Sequence, residues 1–262
     1  MKFTQGDGDV FDKLEADVVF MNGYYERAAD MYLEGAREGS AIAAFNYGYC
    51  LLHGLGRDYN PREAKSYFSF ARELEGGAAS YNLAMLYLHG EGVVQNFETA
   101  LRHMLVSAEA GCVEAQLYMG MAYTLGCMFE PDVIGICLIP FHKPEIRDIN
   151  TPLLAGYVPD FEEEDMRFAV LKADASMAFH WFMTAARHDP TYVEDLVAKG
   201  KYLYAKCYLD GLGTEINYTK GTRLMLLAGK GGSKEAVAYL KENGITPTMI
   251  LEEAKRAREE ST

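Results

Sequence analysis

The 262-residue sequence has no long apolar run, few prolines and no paired cysteines. Its longest apolar segment, residues 133–141, is interrupted by Gly135 and Pro140 and is too short to span a membrane. No apolar run follows Lys2, so we expect no secretory signal peptide and a cytoplasmic protein. The 5 cysteines are odd in number, scattered and free of any C-x-x-C pair. This favours reduced, buried thiols over a disulfide framework or a zinc site.

Basic residues are scarce relative to acidic ones, with 25 Lys and Arg against 38 Asp and Glu and a net charge of -13. Nucleic-acid binding takes its affinity from Lys and Arg that neutralise phosphates, so we expect no nucleic-acid partner. A basic or neutral partner is the simpler expectation. Apolar residues make up 49% of the chain, which is typical of a globular protein with a sizeable core.

A segment of the sequence recurs with a period of 36 residues, at 43–56, 79–92 and 115–126. A fourth copy at 200–213 follows the third after more than two periods, which indicates one further period and a long insertion. Small and large residues alternate within each copy at helical spacing, which predicts a helix that a neighbouring backbone can approach closely. The Gly-x-Gly that ends the copies predicts a tight turn with positive φ.

A second helix follows each of these turns with its own register. Ala28, Ala64 and Ala100 are each separated by one period, and Pro61 stands where the first turn of a helix tolerates proline. At the amino-terminal end, residues 9–21 and 23–39 are typical of a degenerate leading pair. At the other end we predict capping helices at 234–243 and 248–260, because an array needs polar caps.

The repeated pattern A-x-x-x-L-G-x-x-Y-x-x-G-x-G, followed by K-A-x-x-W-x-x-x-A-A, resembles the Sel1-like repeat, a relative of the tetratricopeptide repeat. Tyr47 replaces the usual Leu, Met128 breaks the third Gly-x-Gly, and Trp181 alone keeps the second-helix Trp. The resemblance implies an all-α fold, an α/α solenoid of antiparallel helix pairs wound as a right-handed superhelix, with one long loop insertion. The longer period disfavours a tetratricopeptide array, for which a period of about 34 residues is typical.

The period predicts a single α-solenoid domain over residues 1–262. Its segments are a degenerate repeat at 9–38, repeats at 39–75 and 76–111, a repeat at 112–189 with an insertion at 127–173, a repeat at 190–232 and capping helices at 233–262.

In arrays of this kind the first helices line a concave surface, and the resemblance implies a non-enzymatic scaffold or adaptor that binds a protein or peptide there. The candidate partner-binding residues lie next to the packing face: Phe45, Asn46, Tyr49, Tyr81, Asn82, Met85, Leu117, Met121, Tyr202 and Lys206. Aromatic and Met side chains offer large contact areas, and Asn could bond an extended peptide backbone. Packing between helices is the competing interpretation for each of them.

The insertion contains the apolar run 133–141 and an acidic cluster. The cluster consists of Asp160, Glu162, Glu163, Glu164 and Asp165. Because insertions in a repeat often map to its binding face, we hypothesise that the apolar run packs back on the array and the acidic cluster meets a basic partner. The alternative is a solvated helix start, where carboxylates are favoured.

Patterns that indicate chemistry are weak. The 6 histidines form no H-x-x-x-H or H-E-x-x-H motif, and His53 and His89 recur where a helix end is expected. Gly229–Ser233 is interpreted as a helix C-cap, because no phosphate-binding motif follows a strand. Cys127 near His142 is weighed as a nucleophile pair and disfavoured. We therefore predict no catalytic residue, no metal and no cofactor.

Two other functions stay open at this stage. The chain could be a self-associating structural or regulatory subunit, with Met249, Ile250 and Leu251 as a candidate apolar surface. An enzyme, such as a hydrolase, is the least favoured alternative, since it needs converging ionisable groups. The sequence leaves the oligomeric state open and predicts no membrane partner.

Overall fold

The computed structural model describes residues 10–73, 77–128, 169–191 and 193–246. Within these ranges the chain is helical apart from one small ladder, so the predicted all-α class is confirmed. The helices are α1 (Val10–Met21), α2 (Tyr25–Arg37), α3 (Ala41–His53), α4 (Pro61–Phe70), α5 (Ala78–His89), α6 (Phe97–Glu109), α7 (Val113–Leu125), α8 (Ala175–Ala186), α9 (Glu194–Asp210), α10 (Tyr218–Lys230) and α11 (Lys234–Glu242). None of these helices is long and apolar enough to cross a membrane.

Contacts between residues group the chain into two compact units, with the boundary between Ala115 and Gln116 in α7. In unit 1, α1 packs on α2, α2 on α3, α3 on α4, α4 on α5 and α5 on α6. In unit 2, α8 packs on α9, α9 on α10 and α10 on α11. Each unit therefore consists of helices packed mainly against their neighbours in sequence, and the single-domain assignment stays a prediction.

The second helices of the repeats begin with the same hydrogen bonds. Each N-cap side chain accepts from the backbone N–H three residues later, at Asn60 (3.2 Å), Asn96 (2.8 Å), Asp174 (3.0 Å) and Asn217 (2.9 Å). Each N-cap residue also donates its own N–H to a first-helix carbonyl, at Leu51, Tyr87, Tyr123 and Tyr208, over 2.8–3.0 Å. These bonds satisfy end groups that a helix leaves unpaired and fix the angle between the paired helices.

The two glycines of the Gly-x-Gly turn have different tasks. The first, such as Gly54 and Gly90, is the left-handed C-cap of the first helix. The second meets the start of a second helix in the neighbouring pair. A Cβ on Gly56 would collide with the backbone carbonyl of Tyr25, and one on Gly213 would lie 2.6 Å from the carbonyl carbon of Ala175. Both glycines thus allow neighbouring helix pairs to pack closely.

The predicted alternation of small and large residues forms the core. Phe68 and Phe182 are fully buried, and their rings pack on Gly48 and Gly120, respectively. The periodic alanines of the second helices are also buried, with Ala28, Ala64, Ala100 and Ala178 exposed by 0–3%. Fully burying a Phe side chain contributes roughly 1.5–3 kcal/mol, so these ring contacts are main sources of stability in each unit.

The extra residues of the long repeat do not form one segment. Most of them separate Ala100 from Ala178 and lie in the α7–α8 connection, whereas a few lie between Ala178 and Gly221. Within the described ranges, strands β1 (Cys127–Met128) and β2 (Ala169–Leu171) form an antiparallel ladder at the two ends of the insertion. The sequence does not predict this ladder, because strands of two and three residues are too short to show an alternating pattern.

Candidate interaction surface

Helices α1 and α3 lie side by side in unit 1 and share a row of accessible side chains. Asn46 donates a hydrogen bond from Nδ2 to Asp17 Oδ1 over 3.2 Å. One turn further along both helices, the rings of Phe20 and Tyr49 meet edge to face at 6.5 Å between centroids. We name Asp17, Phe20, Asn46, Tyr49 and His53 the α1–α3 strip.

Asp17 forms the polar end of the strip. Its Oδ1 also accepts a hydrogen bond from the Tyr32 hydroxyl over 2.7 Å. Burial raises the pKa of Tyr32 far above its usual value of 10.0, and the hydrogen bond and charge of Asp17 raise it further. The phenol therefore stays protonated, donates to the carboxylate and fixes its position. Among the side chains that the structure describes, none forms a hydrogen bond or ion pair with Asp17 Oδ2.

Tyr49 forms the aromatic end of the strip. It is 38% exposed although it contacts Phe20, and its ring lies 4.1 Å from the His53 ring between centroids. His53 is the last residue of α3, where the sequence places it at a helix end. An aromatic side chain that is held on two sides and open on a third can contact a ligand with little loss of conformational freedom.

The predicted site residues differ in accessibility. Tyr49 is exposed, Leu117 is buried with only 6% of its surface exposed, and the other eight are half-buried. Leu117 therefore belongs to the core, as the packing interpretation has it, because its side chain is closed to solvent. Phe45 also packs inward, with its ring 5.7 Å from that of Phe68. On α5, Asn82 donates from Nδ2 to the Ala78 carbonyl of its own helix over 3.3 Å, which leaves its Oδ1 as an acceptor.

In unit 2 the predicted Lys206 is already paired within the chain. Its Nζ lies 2.9 Å from Asp210 Oδ2 and 5.4 Å from the ring centroid of Tyr239 on α11. The Lys206 side chain is only 13% exposed. Tyr202 lies in the same cluster, where burial first and then the charge of Glu235 raise its pKa. Lys206, one of the predicted residues, is therefore engaged by groups of its own chain.

Sequence reasoning missed Asp17 and Phe20. Counting back one period from Tyr49 leads to Lys13, whereas the structure places Phe20 beside Tyr49. Part of the difference arises because the α1–α2 connection, residues 22–24, is shorter than the α3–α4 connection, residues 54–60. A shorter turn shifts the register of the first helix, and no motif in α1 marks the shift.

The described residues contain no group of three or more His, Cys, Asp and Glu side chains that could hold a metal ion. Cys50, Cys112 and Cys207 are free and buried, as expected for structural thiols. Burial raises their pKa to about 11, 11 and 12, respectively, which opposes formation of a nucleophilic thiolate. The side chains of Cys127 and His142, the acidic cluster, the apolar run 133–141 and Met249–Leu251 lie outside the described residues.

The Sel1 repeat family matches the chain at residues 41–75, 77–112, 168–190 and 198–233. The chain is a Sel1 repeat protein. The third match begins beside β2, after the insertion, and covers α8, the second helix of that repeat. The amino-terminal pair α1–α2 lies outside the matched segments, in keeping with its shifted register.

Two solved structures of Sel1-type repeats are similar to this chain. A Sel1 repeat protein from Oxalobacter formigenes matches with a TM-score of 0.61 at 17% identity over 87% of this chain and 74% of that one. The protein c5321, a protective antigen present in uropathogenic Escherichia coli strains, displays an SLR fold and matches with a TM-score of 0.62 at 18% identity. That match covers 96% of this chain and 46% of c5321. At these identities the likeness shows the fold. Sel1 repeat proteins are generally non-enzymatic scaffolds for protein–protein interaction.

Proposed function

We propose that this Sel1 repeat protein is a scaffold that binds a peptide or loop of another protein on its first helices. The α1–α3 strip is the centre of this surface in unit 1. The observation that carries the proposal is the exposed Tyr49 ring, held in place by Phe20 and His53 and adjacent to hydrogen-bond acceptors. In this proposal the protein acts in the cytoplasm and needs no cofactor. Its ligand is a protein or peptide and neither nucleic acid nor a membrane.

The half-buried Met85 and Asn82 extend the surface onto α5. Met adapts its shape to different partners, and the free Oδ1 of Asn82 can accept a backbone N–H from an extended chain. Recognition therefore combines one rigid aromatic side chain, one adaptable apolar side chain and several acceptors. This composition suits a peptide better than a small polar metabolite, which needs an enclosed pocket.

The proposal is tested by photo-crosslinking from defined positions. A photoreactive phenylalanine analogue replaces Tyr49, Met85 or, as a control, Phe70, which is 54% exposed on the second helix α4. We expect the same partner to be captured from positions 49 and 85 and not from position 70. Capture from position 85 should fall when Tyr49→Ala is added. Equal capture from position 70, or capture unaffected by Tyr49→Ala, would contradict the assignment to the first helices.

Self-association is a second candidate, favoured by apolar side chains on the amino-terminal pair. Val18, Met21 and Tyr24 are 56%, 84% and 67% exposed. Three exposed apolar side chains so close together in the chain indicate an interaction surface rather than scattered surface residues. Sedimentation velocity at micromolar concentrations, with Met21→Asp as the comparison, tests it. A dimer that dissociates in the variant supports self-association, and a monomer in both contradicts it.

A further inference from the structure

We infer that the α1–α3 strip binds a lysine or arginine side chain of the partner, with its cation against Asp17 Oδ2 and the Tyr49 ring. This inference rests on the proposed scaffold function and specifies the chemistry of the ligand. It assigns a role to two residues, Asp17 and Phe20, that belong to the degenerate amino-terminal pair.

The hydrogen bonds to Asp17 leave acceptor atoms in the strip that bond to none of the described side chains. Asn46 uses its amide N–H on Asp17, so its carbonyl oxygen stays available. Tyr32 likewise uses its hydroxyl proton on Asp17. Asp17 Oδ2 shares the negative charge of the carboxylate with Oδ1 and has no partner among the described side chains. A surface that offers acceptors and a carboxylate selects a ligand with donors and positive charge.

Two arginines of unit 1 form ion pairs with carboxylates other than Asp17. Arg27 lies 3.4 Å from Glu15, and Arg57 forms an ion pair with Asp30. Neither ion pair includes Asp17. The carboxylate therefore remains open to a cation supplied by another molecule, in a chain whose net charge of -13 favours the approach of basic peptides.

Unit 2 shows the same combination of groups with a lysine in place. Lys206, at the repeat position of Tyr49, pairs with the Asp210 carboxylate and lies over the Tyr239 ring. A carboxylate on α9 and a phenol ring on the capping helix α11 thus hold an ammonium group in this protein. The α1–α3 strip has the carboxylate of Asp17 and the ring of Tyr49, and no lysine of the described residues occupies it.

The inference is tested with a defined peptide and the full chain. The probe is a fluorescein-labelled peptide with three lysines separated by Gly-Ser, and its counterpart has glutamine in place of lysine. Fluorescence anisotropy measures Kd for the wild type, Asp17→Asn and Tyr49→Leu. Asp58→Asn is the matched control, because Asp58 is an exposed carboxylate in the α3–α4 turn of the same unit. Circular dichroism checks that each variant is folded.

We expect the lysine peptide to bind more tightly than the glutamine peptide. Asp17→Asn and Tyr49→Leu should each weaken it about two- to fivefold, as for an exposed ion pair or cation–π contact. Asp58→Asn should change Kd by less than about 1.5-fold, since a charge effect without a site is small and screened. Equal binding of the two peptides, or equal effects of Asp17→Asn and Asp58→Asn, would overturn the inference. A partner still captured from position 49 in the Asp17→Asn variant would then leave the scaffold function standing without its cation site.

Discussion

A Cβ atom on Gly92 would occupy the space of the Arg62 backbone nitrogen and lie 2.6 Å from the carbonyl carbon of Pro61. Gly92 closes the α5–α6 turn with φ +68, and Pro61 and Arg62 begin α4 in the preceding pair. The same contact recurs between Gly56 and Tyr25 and between Gly213 and Ala175. The second glycine of the turn therefore sets how closely one helix pair approaches its neighbour.

Gly92→Ala tests this role of the second glycine. We expect the free energy of unfolding to fall by about 2–5 kcal/mol, because positive φ costs roughly 1–2 kcal/mol and overpacking adds about 1–3 kcal/mol. Gly23→Ala is the control, since Gly23 has φ +84 and its Cβ would have no neighbour within 4 Å. Urea unfolding followed by circular dichroism measures both. Equal losses in the two variants would show that backbone strain alone accounts for the effect.

The repeat made most of the fold predictable from the sequence. The end of α1 and the extents of α2 and α11 agree with the predicted helices to within two residues, and Gly229–Ser233 contains the predicted helix end. The positive φ of Gly54, Gly56, Gly90 and Gly92 also follows from the pattern. These features are local, so one copy of the repeat predicts the next.

Contacts between distant segments were less predictable. The sequence shows that Gly92 needs positive φ, but not that Arg62 lies against it. It places Lys206 on a candidate surface, but does not show that its Nζ lies over the ring of Tyr239, which belongs to α11 almost one period further along the chain. The sequence did not indicate Asp17, because the register of α1 relative to the other first helices depends on the length of the α1–α2 connection. Such relationships follow from packing across helix pairs, which the period along the sequence does not encode.

The Gly120–Phe182 contact predicts strong coupling between two core positions. A Cβ on Gly120 would lie 2.6 Å from Cδ1 of the fully buried Phe182. Gly120→Ala should destabilise unit 2 by about 1–3 kcal/mol through overpacking. Adding Phe182→Leu vacates the space, so the double variant should be less destabilised than the sum by about 1 kcal/mol or more. Additive losses in a urea double-mutant cycle would contradict direct contact.

His103 predicts a loss of stability in mild acid. Its ring stacks on Tyr87 at 5.8 Å and an angle of 9°, and burial, then Arg72 and Lys65, lower its pKa below 6.5. The unfolded chain therefore binds a proton at this imidazole more readily than the folded protein does. The stability that neutral His103 contributes is fully present above pH 6.5 and is lost as the pH falls below 6.5. His103→Tyr should reduce that loss, since Tyr67 and Trp181 occupy the equivalent position. Melting temperatures at pH 7.5 and 5 check this against the exposed control His180→Tyr, which should keep the wild-type acid dependence.

The buried thiols predict a loss of stability in alkali. The pKa of Cys207 is raised from 9.0 to about 12, chiefly by burial and next by Asp210. Its contribution is therefore present below pH 9 and is lost as the pH rises toward 12, by up to ~1.4 kcal/mol per pH unit. Cys207→Ala lowers stability at pH 7.5 by leaving a small cavity, yet should show a shallower decline between pH 9 and 10.5. The free energy of unfolding in urea is measured against pH for the wild type and Cys207→Ala. If the two plots run parallel, the thiol of Cys207 does not contribute to the alkaline loss of stability.

We expect that the insertion can be removed with little effect on the helix pair that flanks it. The Asp174 N–H donates to the Tyr123 carbonyl over 2.8 Å, as the N-cap residues of the uninterrupted repeats do. The β1–β2 ladder already pairs Met128 with Ala169 at the ends of the segment. Replacing residues 129–168 by Asn-Gly, which favours a two-residue hairpin turn, should therefore retain the helical circular dichroism per helical residue. Adding Asp174→Ala should cost a further ~1 kcal/mol through loss of the cap.

The same replacement separates the two interpretations of the acidic cluster, since it removes Asp160–Asp165 without touching Tyr49 or Met85. If the carboxylates contact a basic partner, the trimmed chain should capture less of it by photo-crosslinking from position 49, and the difference should shrink at high salt because exposed charges are screened. If they only begin a solvated helix, capture should equal that of the full chain. Partner capture and unfolding free energy that both stay unchanged would refute a functional insertion, whereas a large fall in stability would show that the apolar run 133–141 packs on the array.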